Sequence, residues 1–81
     1  YRAFATLDDP VEIKALMEDL CTIREVDEMA QRLDVAFRLD AGESYASIQE
    51  KTGVSATTIA RVSKCLNYGA EGYRRIIDGE R

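Results

Sequence analysis

Ser55-Ala56-Thr57-Thr58, with Arg61 and Lys64 about one and two helical turns beyond Thr57, is the stretch of this 81-residue chain best equipped for chemistry. The chemistry on offer is recognition. A threonine hydroxyl donates and accepts hydrogen bonds, its methyl packs on an apolar group, and an arginine fork pairs with two acceptors at once. Catalysis has few parts to work with. The chain has no histidine, which removes the usual proton shuttle and the commonest transition-metal ligand. Cys21 and Cys65 lie far apart and form no CxxC pair, which reads as two buried thiols in a reducing compartment. Paired carboxylates for hydrolysis need a cleft that a chain of this size can hardly enclose. Neither an enzyme nor a metal site is expected.

The elements that would position these residues are helical, because the apolar residues recur at helical spacing and almost no strand signal is present. Asp9-Pro10-Val11-Glu12 starts a first amphipathic helix over residues 10 to about 20, with Asp9 as cap, Pro10 at the first helical position and Glu12 completing a capping box. Tyr1, Phe4 and Leu7 precede it, as an arm or as a short further helix. Thr22-Ile23-Arg24-Glu25 is a second capping box. It opens the longest helix, whose apolar face runs from Val26 to Leu39 and which stops at Gly42. Ser44 caps a short helix anchored by Ile48, Gly53 supplies a left-handed turn, and Val54 plugs that turn into the core. Ser55 caps a second helix with Ile59, Val62 and Leu66 facing inward. Asn67-Tyr68-Gly69 breaks the chain before a last helix from Ala70 to Asp78, closed by Gly79. Tyr45, Tyr68 and Tyr73 are spaced as packing anchors at helix ends. The result is one all-α domain over residues 1–81, built from four to six helices, with a helix-turn-helix over about residues 44–66.

Two short helices locked by inward apolar residues across a glycine turn are suited to entering a DNA major groove. Small side chains at the start of the second helix let its backbone approach the groove floor. Its first amides can then donate to phosphate. The DNA-contacting residues expected on this reading are Lys51, Ser55, Ala56, Thr57, Thr58, Arg61 and Lys64. Lys51, Lys64 and the Arg74-Arg75 pair would touch phosphates. One departure stands at Gln49, four residues before the turn glycine, where an alanine usually lets the two helices touch.

Charge is distributed in keeping with this. The formal net charge is −4, yet residues 1–50 hold five basic and twelve acidic side chains, whereas residues 51–75 hold Lys51, Arg61, Lys64, Arg74 and Arg75 against Glu71 alone. A basic end on an acidic domain is a workable footprint for phosphate. The acidic half reads as a solvated surface that keeps that end off DNA. No apolar run approaches the ~20 residues of a membrane span and no signal-peptide pattern opens the chain, so a soluble, cytoplasmic protein is expected. The net negative charge also suits an alternative, a protein-interaction module that keeps the helix-turn-helix shape without reading DNA.

The segments MAQRL (residues 29–33), GES (42–44) and GVSATTIARVSKCLNYGAEGY (53–73) resemble the Trp repressor superfamily, most closely its small bacterial Trp-repressor-like branch of the YerC/YecD type. The resemblance spans about residues 7 to 79. It implies an intertwined homodimer with one reading head per subunit, double-stranded DNA as partner, and a transcriptional regulator, a repressor, acting on an inverted-repeat operator. It places the DNA-reading positions on Ala56, Thr57 and Thr58, and it makes Gln49 less anomalous. It also raises the question of a corepressor. Arg32 and Arg61 match the two arginines that flank tryptophan in the Trp repressor, but the glycine against which the indole lies is Val62 here. Tryptophan is therefore not expected as a cofactor, and another small anionic effector is left open. On the bland reading Arg32 pairs with Asp27 or Asp34, and Arg61 touches phosphate.

Overall fold

The computed structural model describes residues 1–80; Arg81, the last residue of the domain read from the sequence, lies outside them. Six helices follow one another: α1 (Arg2–Ala5), α2 (Pro10–Leu20), α3 (Ile23–Asp40), α4 (Tyr45–Thr52), α5 (Ala56–Tyr68) and α6 (Gly72–Glu80). No strand occurs among the described residues. The short-helix alternative thus holds for the segment before Pro10.

The starts of the four middle helices are written in their caps. Asp9 accepts from the Val11 amide at 2.8 Å with Pro10 at the first helical position. This cap lacks the reciprocal Glu12 bond among the described residues. Thr22 and Glu25 do form a full capping box, Thr22 Oγ1 accepting from the Glu25 amide at 3.1 Å and Glu25 Oε1 from the Thr22 amide at 2.9 Å. Ser44 and Ser55 cap α4 and α5 by accepting from the amides of Ser47 and Thr58. Each cap satisfies an amide that would otherwise have no helical partner.

The core lies in the C-terminal two-thirds of the chain. Val35 and Ala36 of α3, Ile48 of α4, Val54 of the turn, Ile59, Val62 and Leu66 of α5 and Ile77 of α6 are buried, with Phe37, Leu39 and Tyr73 packed on them. α3 is the strut, in contact with α2, α4, α5 and α6. By contrast α1 and α2 bury no residue fully, and the first half of α3 buries none. Val11, Leu20 and Ile23 remain exposed.

Three expectations need correcting. Cys65 is exposed and Cys21 only half-buried, because Cys65 falls between the buried positions Val62 and Leu66 and turns off the core face. Tyr68 and Tyr45 are exposed, at 87% and 42%, whereas Tyr73 packs on the core. The last helix begins at Gly72, not Ala70. Glu71 takes a positive φ of 68°, and a left-handed residue cannot continue a right-handed helix.

Candidate nucleic-acid interface

The turn between α4 and α5 is fixed by its own hydrogen bonds. Gly53 adopts φ +74°, and its amide donates to Gln49 O at 2.9 Å. Thr52 Oγ1 donates to Ile48 O at 2.6 Å and accepts from the Val54 amide at 3.2 Å. One threonine therefore stitches the end of α4 to the first residue after the glycine. Thr52 was not singled out from the sequence, although threonine just before a helix-ending glycine is the available signal. Gln49 is exposed, so a polar side chain is tolerated where sequence alone placed a helix contact.

α5 is anchored behind by Ile59, Val62 and Leu66, all in the core. This leaves Ser55, Ala56, Thr57, Arg61 and Lys64 exposed on the other side. Thr58 is half-buried, and its Oγ1 accepts from the Ser55 hydroxyl at 3.1 Å. Its proton is still available to a further acceptor, but its hydroxyl is shared with the cap.

The cations differ in how far they are committed. Among the described residues Arg61, Lys64 and Arg75 form no intramolecular ion pair, so their charge is available to an external anion. Lys51 Nζ lies 3.2 Å from Glu43 Oε1. Arg74 Nη1 donates to Asp40 at 2.8 Å and approaches Asp78 at 3.5 Å. Those carboxylates hold the Arg74 guanidinium above its ordinary pKa, the Asp40 bond contributing most. Arg74 thus ties α6 to the end of α3.

Of the two candidate effector arginines, Arg32 borders a hollow of about 380 Å³ with Glu28, Gly53, Val54, Ser55 and Thr58, directly behind the helix-turn-helix turn, and Arg61 is exposed on α5. Val62 is buried. The bland pairing of Arg32 with Asp34 is not formed either, since Asp34 is taken by Arg38 at 3.0 Å. No helix among the described residues is long and apolar enough to cross a membrane.

Six helices, a fixed glycine turn and a second helix with a small, polar, exposed N-terminus define a helix-turn-helix domain. The family model for the Trp repressor protein matches residues 1–81, and the chain belongs to that family, whose members are regulatory DNA-binding proteins and not enzymes. It is 42% identical over 78 residues to the uncharacterized protein YerC of Bacillus subtilis (strain 168), covering 96% of this chain and 75% of that one. Among solved structures, a TrpR-like protein from Eubacterium eligens ATCC 27750 superposes with a TM-score of 0.89 at 42% identity, over 96% of this chain and 80% of the other. A candidate Trp repressor from Staphylococcus aureus gives a TM-score of 0.88 at 37% identity, over 98% and 79% of the two chains.

Proposed function

We propose that the protein is a sequence-specific transcriptional repressor that binds an inverted-repeat operator as an intertwined homodimer. The observation that carries this reading is the outer face of α5. Ser55, Ala56 and Thr57 stand exposed at its start, with the uncommitted Arg61 and Lys64 following and Ile59, Val62 and Leu66 fixed in the core behind. Thr57 and Thr58 offer hydroxyls and methyls to base edges. Arg61 and Lys64 serve base or phosphate, and Lys51 reaches phosphate beside the turn.

The homodimer is supported by what the monomer leaves uncovered. The accessible surface is 6357 Å², against about 4,900 Å² for a compact monomer of this size. The radius of gyration is 13.8 Å, against about 11.7 Å. Val11 and Leu20 of α2 and Ile23 at the start of α3 are exposed, and an intertwined partner would cover them.

Selection from random duplexes tests the proposal. Enriched sequences should be inverted repeats with half-sites about one helical turn, ~34 Å, apart, and sedimentation should give twice the monomer mass. A monomer, or no enriched sequence, would favour the protein-interaction reading that the net charge of −4 suits. Tryptophan is not the corepressor on this account, because Val62 stands where the resemblance to the Trp repressor calls for the glycine against which the indole lies. Millimolar tryptophan should leave both the melting temperature and the DNA affinity unchanged, whereas a ligand at 100 times its Kd would stabilise by about 2.7 kcal/mol.

A further inference from the structure

Lys51 is the basic residue closest in sequence to the turn glycine, and it does not meet solvent alone. Its ammonium lies 3.2 Å from Glu43 Oε1, reaching back from the last turn of α4 to the residue just before the Ser44 cap. Glu43 is held from the other side. Arg38 Nη1 lies 3.4 Å from each of its carboxylate oxygens and the Ser47 hydroxyl 3.4 Å from Oε1. Arg38 is itself tied to Asp34 at 3.0 Å. Asp34, Arg38, Glu43 and Lys51 thus form a chain of alternating charge from the middle of α3 to the edge of the helix-turn-helix. Exposure rises along its last step: the Glu43 side chain is 24% exposed, that of Lys51 57%. The carboxylate is the fixed member of the pair and the lysine the movable one. When Lys51 leaves, Glu43 keeps Arg38 and Ser47 and no charge is stranded.

We propose that Glu43 is an internal counter-ion that competes with DNA phosphate for Lys51, and so sets the domain's affinity for duplexes of any sequence below what its cations could reach. This rests on the DNA-binding reading above. A lysine contributes to non-specific binding by neutralising a phosphate and releasing its condensed counter-ion. A lysine already neutralised by a carboxylate must give that partner up or share it with an anion, and Glu43 itself repels the phosphate. The exchange leaves sequence preference alone, because Lys51 acts on a phosphate contact, which carries no sequence information.

The test is a cycle of Glu43→Gln, Lys51→Ala and the double variant, with affinities measured on the selected duplex and a scrambled one. Glu43→Gln should tighten both duplexes alike, by about two- to fivefold per subunit, the range of an exposed ion pair. The gain should vanish in the Lys51→Ala background. An equal gain without Lys51 would mean general repulsion of DNA and overturn the proposal. So would weaker binding by a folded Glu43→Gln protein, which would make Glu43 a holder of Lys51 in its binding pose. Should loss of the Arg38 partner unfold Glu43→Gln, Glu43→Asp keeps the charge but shortens its reach. A Lys51-dependent gain with aspartate upholds competition, and no gain contradicts it. If the wild-type protein binds no duplex, the DNA-binding reading fails by itself. The salt needed to elute each variant from immobilised heparin then decides: later elution of Glu43→Gln only when Lys51 is present upholds the competition, and identical elution overturns it.

Discussion

Gly53, Gly69 and Glu71 show how much of this fold rests on the backbone of single residues. Gly53 has φ +74° with nothing within 4 Å of where a Cβ would stand, so Gly53→Ala meets conformational strain alone. It should destabilise by about 1 kcal/mol, the left-handed penalty less the chain entropy that alanine saves. A Cβ at Gly69 would collide with the Cys65 carbonyl oxygen, so Gly69→Ala has to move the α5–α6 junction and should cost more than Gly53→Ala. Glu71 carries left-handed strain with no glycine to relieve it, and Glu71→Gly should stabilise by roughly 0.5–1 kcal/mol. Chemical denaturation of the three variants checks the order, and a Gly69→Ala protein as stable as wild type would contradict it. Gly53 was legible because a glycine between two capped apolar runs has one obvious use. The positive φ of Glu71 was not, since it follows from fitting α6 against α3 and α5 and leaves no local trace.

At the scale of elements, the Thr22–Glu25 capping box and the Glu43 ion pairs give the acid response a definite sign. The hydrogen bond from the Thr22 amide, then that with the Thr22 side chain, holds the Glu25 carboxyl below its ordinary value of 4.5. Partial burial pushes Glu43 up, but Lys51 and then Arg38 outweigh it and leave its pKa lowered as well. A carboxylate with a lowered folded pKa contributes stability that is present above its ordinary value and lost as pH falls through the lowered one. Glu25→Gln should therefore melt below wild type at neutral pH, the gap closing as pH falls below about 4.5. A gap that persists in acid would mean that the glutamine lost packing and not charge. Helix starts were legible because each cap is a local arrangement of three or four residues, as at Thr22–Glu25 and Ser55–Thr58. So was the buried face of α5, since Ile59, Val62 and Leu66 repeat at helical spacing. The ties between elements were not. Arg74 and Asp40 stand 34 residues apart, and nothing around Arg74 distinguishes it from Arg75, which is exposed. The same holds for Lys51, whose partner Glu43 sits eight residues away across a helix start.

For the molecule as a whole, charge and uncovered surface are the organising facts. The acidic side chains are concentrated in the first 50 residues, and the uncommitted cations Arg61, Lys64 and Arg75 lie in the C-terminal part that carries the reading head. On the proposed function the protein would contact few phosphates, so its affinity should fall gently with salt and its selectivity should depend on a few base contacts. The direct measurement of that division compares Thr57→Ala with Lys64→Ala on selected and scrambled duplexes at two salt concentrations. Thr57 is the cleaner choice than Thr58, whose hydroxyl also serves the Ser55 cap. Thr57→Ala should weaken the selected duplex by about 1–3 kcal/mol and leave scrambled DNA nearly unchanged. Lys64→Ala should weaken both alike and flatten the salt slope by about one unit per subunit. If Thr57→Ala weakens both duplexes equally, or neither change matters on any duplex, the N-terminal face of α5 does not read DNA sequence.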